Sequence, residues 1–174
     1  MPNLVFRAMQ LVNYAWIKRG PATALTQAFI DSVRATCVED LLEGYTAGRY
    51  QIGAELAPLV FKVAETGDTV ARDLIHWAGC ELGEMANAVI RQLGFEDLAF
   101  DVVQAGSMFE GGAMLTQPMR ETILRVAPAA RFVRLEAPPV VGSVLIGMEM
   151  GQMQPDLHIR ARLIESARQA TLQW

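Results

Sequence analysis

The chain has 174 residues, of which 52% are hydrophobic, and carries a formal net charge of −4. This length is enough for one domain, 1–174, with a hydrophobic core. An acidic balance without a run of Lys or Arg before the last predicted helix makes nucleic acid a poor partner. The two cysteines, Cys37 and Cys80, lie far apart and in no metal-ligand spacing, which argues against a disulfide framework and fits a reducing compartment.

Neither a leader peptide nor a membrane span is expected from the sequence. The first ten residues lack the charged and then apolar segments of a secretory signal. The longest apolar stretch, from about Pro138 to Met150, is shorter than the roughly 20 residues that a membrane helix needs. The sequence therefore predicts a soluble, cytoplasmic protein without a membrane partner.

Apolar residues recur at helical spacing through the first hundred positions, so a helical segment is predicted over 1–95. Its five helices are predicted at Leu4–Trp16, from Thr23 through Val33, from Thr36 through Tyr45, at Ile52–Glu65 and from Asp68 to Leu93. Thr36 and Glu39 have the spacing of a capping box, and Asp68 is a good N-cap for the longest helix. The apolar stripe of that helix is predicted to run through Val70, Leu74, Ile75, Ala78, Leu82, Met85, Val89, Ile90 and Leu93.

The pattern changes after residue 95, and strand, helix, strand, helix is predicted over 96–153. The strands are Asp101–Ala105 and Arg131–Leu135, the helices are Met114–Val126 and Val140–Met153, and a last helix lies within 154–174. Two strands joined by a crossover helix form a parallel pair. They make no independent sheet, so either a second copy or strands outside this sequence must complete it. The helix at 140–153 is apolar nearly all round and is expected inside a core.

The segment between the first strand and the next helix is the strongest candidate for a ligand site. It reads Gly106-Ser107 at the strand end, followed by Gly111 and Gly112. Glycine lets the backbone come close to a flat or anionic ligand, because it has no side chain to hold the ligand off. The same turn can also serve only to reverse the chain, and the residues alone leave both readings open.

Other polar residues are interpreted as structural. His76 and His158 have no Cys, Asp or Glu at zinc-ligand spacing. Glu81 and Glu84 lie three apart on the long helix, as on a charged outer face. No catalytic residue and no metal ligand are therefore assigned in this chain.

Four segments carry a family likeness: residues 20–29, 52–71, 102–109 and 138–147. In order and spacing they resemble the C-terminal half of the BadF/BadG-type ATPase and N-acetylglucosamine kinase family, within the actin-like sugar-kinase superfamily. The resemblance implies a helix-rich α/β fold, in which a helical segment precedes two parallel strands of an actin-like (ribonuclease H-like) ATPase domain.

The resemblance also implies an adenosine pocket. Gly106 and Ser107 would lie where the backbone closes on adenine and ribose, with Ala54 on the opposite wall and Gly53 allowing close packing beside it. For Gly53 and Ala54 the alternative is plain helix–helix contact. Met108 and Phe109 could line the same pocket, but burial in the core is the favoured interpretation for both.

The chain departs from the family where phosphate chemistry is expected. The acidic D-G-G-G-T phosphate loop, the second Gly-Thr-Gly-type loop and the carboxylates between them are absent from the sequence. The resemblance implies that the intact protein uses ATP and Mg²⁺, with the metal ligands and the amino-sugar site in a missing N-terminal half. This chain would hold adenosine and would not be catalytic alone, and a homodimer is expected.

Two alternatives stay open. One is a BadF/BadG-type ATPase that activates a CoA-ester reductase or dehydratase, although members of that type hold an iron–sulfur cluster with cysteines that Cys37 and Cys80 do not match. The other is a helical interaction module without nucleotide chemistry.

Overall fold

The computed structural model describes residues 4–135 and 137–171. Within these residues the chain forms eight α-helices and two β-strands, a helix-rich α/β arrangement. They are α1 (Leu4–Trp16), α2 (Leu25–Val33), α3 (Val38–Thr46), α4 (Ala57–Glu65), α5 (Thr69–Leu93), β1 (Asp101–Gln104), α6 (Ala113–Leu124), β2 (Arg131–Arg134), α7 (Pro139–Met150) and α8 (Leu157–Thr171). Short 3₁₀ turns occupy Ala54–Leu56 and Ser107–Gly111.

The chain forms two compact units. The first, here called the helical unit, contains residues 4–99 together with Met108–Ala130, and therefore α1 to α6. The second, the strand unit, contains Phe100–Ser107, 131–135 and 137–171, and therefore β1, β2, α7 and α8.

The core of the helical unit is built from the apolar faces of its helices. In α1 the buried residues are Leu4, Val5, Ala8, Met9 and Val12, one face of a 3.6-residue period, and the predicted bounds of this helix are confirmed. Phe29 of α2 and Leu41 of α3 are completely buried against the same cluster. Because large apolar side chains at helical spacing dominate this part of the chain, sequence pattern and structure agree here.

Helix α4 begins later than its apolar pattern predicts. The predicted helix at Ile52–Glu65 is replaced by the 3₁₀ turn and then by α4, whose first turn contains Pro58. Proline has no N–H to donate and is accommodated best in the first turn of a helix. Pro58 therefore marks the start of the α-helix, and the residues before it take the tighter turn.

The longest helix, α5, buries one face in its first half and a different face in its second half. Val70, Leu74, Ile75 and Ala78 lie in the core as predicted. Beyond Ala78 the buried positions are Gly79, Gly83, Asn87 and Ile90. The predicted stripe is wrong at Met85, Val89 and Leu93, which are 53–58% exposed.

Glycine explains this change of face, because α5 packs closely against α6 there. A Cβ atom at Gly79 would overlap the carbonyl oxygen of Leu115 and lie 2.6 Å from Cγ of Pro118. A Cβ at Gly83 would lie 2.6 Å from Cβ of Thr122. Hydrophobic periodicity gives no weight to glycine, so the seam between α5 and α6 has no signal in the apolar pattern.

Two helix starts test the capping predictions. The Asp68 cap of α5 is confirmed, since its Oδ1 accepts a 2.8 Å hydrogen bond from the N–H of Ala71. The Thr36–Glu39 box is wrong. Asp40 supplies the carboxylate instead, and its Oδ2 accepts from the N–H of Thr36 at 2.9 Å and from the Thr36 hydroxyl at 3.3 Å.

Asp40, and not Glu39, accepts the hydrogen bonds of Thr36 because residues further along the chain also bind the Asp40 carboxylate. The Tyr50 hydroxyl donates to Oδ2 at 2.7 Å, and the Arg49 guanidinium lies 2.9 Å from Oδ1. The hydrogen bond from the N–H of Thr36, with those from Tyr50 and the charge of Arg49, lowers the pKa of Asp40 below its ordinary value of 3.8. The hydrogen bond between the Tyr50 hydroxyl and Asp40 also raises the pKa of Tyr50.

This pair makes a pH prediction. Because the pKa of Asp40 is lower in the folded state, its contribution to stability is present above about pH 4 and is lost as the pH falls through the folded pKa. We expect Tyr50→Phe to lower the melting temperature more at pH 7 than at a pH below the folded pKa of Asp40, because protonation of the carboxyl group there weakens the interaction. Circular dichroism melts at both pH values measure this, and an equal loss at both would contradict it.

In the strand unit β1 and β2 are parallel, as predicted. Asp101 is the register partner of Arg131, and Gln104 is that of Arg134. Each strand ends one residue earlier than predicted. Nε of Arg131 lies 2.8 Å from Oδ1 of Asp101, so an ion pair closes the N-terminal end of the strand pair.

Helix α7 differs from the expectation of a core helix. Val141 is its one buried residue, whereas Val140, Val144, Ile146 and Met150 are exposed. Its packing partner in the strand unit is α8. An apolar helix with exposed side chains offers a surface for further elements.

Across residues 4–135 and 137–171, the helices are all too short or too polar to cross a lipid bilayer.

Candidate functional site

The glycine turn follows β1 as the sequence indicates. Gly106 has φ of +108°, a conformation that L side chains rarely adopt, and a Cβ atom there would meet no heavy atom within 4 Å. Ser107 begins the 3₁₀ turn, and both residues are exposed. The turn is therefore open to solvent on the side where a ligand could approach the backbone.

Arg134 holds this turn in place. Its Nη1 donates a 3.0 Å hydrogen bond to the carbonyl oxygen of Gly106. In a parallel pair both strands run in the same direction, so the end of β2 lies beside the end of β1. Ligands of open α/β sheets bind at this carboxyl edge, and the edge here carries a glycine turn, a serine and a guanidinium group.

Gln104, the last residue of β1, is a further polar group at this edge. It is 4% exposed, and its Nε2 has no hydrogen-bond partner among the described residues. Its backbone is paired normally, because its carbonyl accepts from the N–H of Leu135 at 2.9 Å. Sequence reasoning missed Gln104, although an amide after two valines in a short apolar strand was the available signal.

Gly53 and Ala54 lie before α4 and not inside a helix. Gly53 has extended backbone with φ of −127°, and its N–H donates a 2.9 Å hydrogen bond to Oε1 of Glu55. Ala54 begins the 3₁₀ turn and is exposed. The 3₁₀ turn that Ala54 begins lies against α1 and α4, so packing contact stays open as the alternative for these two residues.

The four predicted site residues belong to different units. Gly53 and Ala54 are in the helical unit, and Gly106 and Ser107 are in the strand unit. Within each unit the two residues are neighbours in the chain, and all four except the half-buried Gly53 are exposed. It stays a prediction that the two pairs face one another across a single pocket.

Of the two other pocket candidates, Met108 packs against the core of the helical unit while remaining half-buried. Phe109 is half-buried as well. Both residues thus keep part of their surface accessible, so the interpretation as core residues holds only in part.

His76 and Glu84 each contact a neighbouring side chain of α5. His76 is exposed, and its Nδ1 lies 3.8 Å from Sγ of Cys80. Glu84 is paired with Arg91 at 3.6 Å on the outer face of α5. In the described ranges, groups of three or more His, Cys, Asp or Glu that could hold a metal ion are absent.

The helical unit also contains an open groove of about 540 Å³ between α5 and α6. Its polar lining is Arg72, Asp73, His76, Gln117 and Glu121. Part of this lining already has partners in the fold, because Nε of Arg72 donates to the carbonyl of Ala64 at 2.9 Å and Nε2 of Gln117 donates to Glu121 at 2.9 Å. No local pattern in the sequence indicates this groove, because its residues come from helices far apart in the chain.

The fold and the site define a helix-rich α/β protein with a glycine turn at the carboxyl edge of a parallel strand pair. No family model matches the chain. It is similar to the N-acetyl-D-glucosamine kinase of Dictyostelium discoideum, with 28% identity over 133 residues. The aligned stretch covers 74% of this chain and 42% of that kinase, so the chain spans less than half the length of this relative.

Proposed function

We propose that this chain is the adenosine-binding part of an ATP-dependent sugar kinase that transfers phosphate to an amino-sugar hydroxyl. The observation that carries the proposal is the similarity to an N-acetyl-D-glucosamine kinase. The aligned stretch covers 74% of the chain, which is long enough to include all four candidate residues whichever residue it starts from. They are Gly53, Ala54, Gly106 and Ser107.

The chemistry of the turn supports the same function. An exposed glycine with positive φ at a strand end lets backbone groups approach a flat base and a ribose. Phosphoryl transfer also needs groups that position phosphates and a metal ion. We propose that those groups, Mg²⁺ and the amino-sugar site lie outside these residues, in an N-terminal half of an actin-like fold that this chain completes as the C-terminal half.

Titration calorimetry with adenosine, ADP and ATP tests the proposal. We expect weak binding with dissociation constants equal within about threefold, because the phosphate groups find few charge-assisted hydrogen bonds here. Magnesium should change little, and N-acetylglucosamine should neither bind nor be phosphorylated.

Substitutions locate the binding. Ser107→Trp should abolish adenosine binding by filling the space at the turn. His76→Ala, an exposed residue of the helical unit, is the control and should leave binding unchanged. Absence of adenosine binding to the unmodified chain would contradict the proposal, and far tighter binding of Mg²⁺–ATP than of adenosine would place a phosphate site within these residues.

A second candidate is a helical interaction module without nucleotide chemistry. It is favoured by the exposed apolar residues of α5 and α7, since contiguous apolar surface marks sites of association. The titration separates the two, because an interaction module binds no adenosine.

A BadF/BadG-type activator remains a weaker alternative. Its cluster would need cysteines between subunits, and the two free cysteines are Cys37, exposed before α3, and Cys80, half-buried on α5. The expected homodimer likewise remains a proposal, supported by a strand pair that shows no further strand among the described residues.

A further inference from the structure

Gln104 of β1 carries an unsatisfied side-chain donor in the described part of the strand unit. It is almost fully buried, yet its Nε2 has no partner within the described residues. Buried polar side chains in native proteins are nearly always hydrogen-bonded, and an orphaned donor is destabilising. A buried donor of this kind needs an explanation, and a bound ligand that accepts its hydrogen bond is one.

The surroundings of Gln104 point to a ligand as that partner. Gln104 is two residues before the exposed Gly106 turn and is the register partner of Arg134, whose guanidinium binds the carbonyl of Gly106. The amide therefore belongs to the same carboxyl edge of the strand pair as the turn. Its three side-chain torsions allow the amide to turn toward a ligand held there.

An amide carries a donor and an acceptor side by side, which is the complement of one edge of adenine. Adenine presents its N6 amino group as a donor beside N7 as an acceptor, and Gln reads this pair with two hydrogen bonds. Guanine presents two acceptors, O6 and N7, on that edge, so one of the two hydrogen bonds is lost. The unpartnered Nε2 donor of Gln104 is therefore the complement of the N7 acceptor of adenine.

We infer that Gln104 reads the N6/N7 edge of adenine and makes the nucleotide site selective for adenine, an inference that rests on the proposed function. Nε2 donates to N7, and Oε1 accepts from the N6 amino group. Gln104 is in this role a specificity-determining residue and takes no part in phosphoryl transfer.

The test combines a ligand change with a residue change. Adenosine and 7-deazaadenosine, which lacks the N7 acceptor, are titrated into the unmodified chain and into Gln104→Leu. We expect 7-deazaadenosine to bind the unmodified chain about tenfold more weakly than adenosine, and Gln104→Leu to bind both equally weakly. Gln117→Leu, an exposed glutamine of α6, is the matched control and should keep the tenfold difference.

A thermal melt of Gln104→Leu separates a binding role from a structural one. Because the amide donor is orphaned in the fold, an apolar side chain of similar size should leave the melting temperature unchanged or raise it. A clear fall would show that the amide is paired inside the fold and would overturn the inference.

The outcomes also separate this inference from the proposed function. If the unmodified chain binds adenosine and 7-deazaadenosine equally, or if Gln104→Leu keeps the difference, the role of Gln104 is wrong while nucleotide binding stands. If neither nucleoside binds the unmodified chain, both the inference and the proposed function fail.

Discussion

Gly79→Ala is expected to lower the free energy of unfolding of the helical unit by about 1–3 kcal/mol. Alanine favours a helix over glycine by about 1 kcal/mol, so helix propensity alone predicts the opposite sign. The packing determines the sign of the change in stability, because the new Cβ meets the backbone carbonyl oxygen of Leu115 and the ring of Pro118. A carbonyl inside α6 cannot move aside without shifting the whole helix.

Urea denaturation followed by circular dichroism measures this change. Gln92→Ala, at an exposed position of the same helix, is the control and should leave stability within about 0.5 kcal/mol of the unmodified chain. Gly83→Ala should resemble Gly79→Ala, since its Cβ would meet Thr122. A stabilised Gly79→Ala variant would show that α5 and α6 are less closely packed than the structure has them.

Asp68→Ala is expected to cost about 2–3 kcal/mol, more than the loss of an ordinary helix cap. Its carboxylate accepts three hydrogen bonds: from the N–H of Ala71 at 2.8 Å, from the N–H of Ala24 at 2.8 Å and from the hydroxyl of Thr23 at 3.0 Å. The first caps α5, and the other two tie the start of α2 to the start of α5. One substitution therefore loosens two helices.

Asp156→Ala provides the comparison. Among the described residues, the Asp156 side chain accepts one hydrogen bond, from the N–H of Ile159 at 2.7 Å, which caps α8, so its loss should cost about 1 kcal/mol. Chemical denaturation of both variants gives the difference. Thr23→Val should cost less in the Asp68→Ala background than in the unmodified chain, because only the 3.2 Å hydrogen bond from the N–H of Leu25 to the Thr23 hydroxyl is then left to lose. Equal, additive losses from the two substitutions would contradict the shared hydrogen bond.

The sequence predicts elements well where the signal is local. The bounds of α1, the Asp68 cap and the parallel strands follow from hydrophobic spacing, capping chemistry and chain connectivity. Errors arise where distant residues decide. Asp40 replaces Glu39 at the start of α3 because Arg49 and Tyr50, about ten residues later, also bind its carboxylate.

The candidate site follows the same rule. The Gly106–Ser107 turn could be predicted, because a glycine after a short apolar strand is a local signal. The hydrogen bond from Arg134 and the orphaned amide of Gln104 could not, because they depend on the register of the two strands. The prediction that Gly53 and Ala54 face this turn rests on the family likeness alone and stays a prediction.

The change of buried face along α5 also constrains how this protein can vary in length. One residue more or fewer turns an α-helix by about 100°, so an insertion between Ala78 and Gly79 would rotate the glycine face away from α6 while the first half stayed in the core. Insertions and deletions should therefore be excluded from the middle of α5, although substitutions at its exposed positions are tolerated. Related sequences should keep the spacing between Leu74 and Gly83 even where the residues themselves differ.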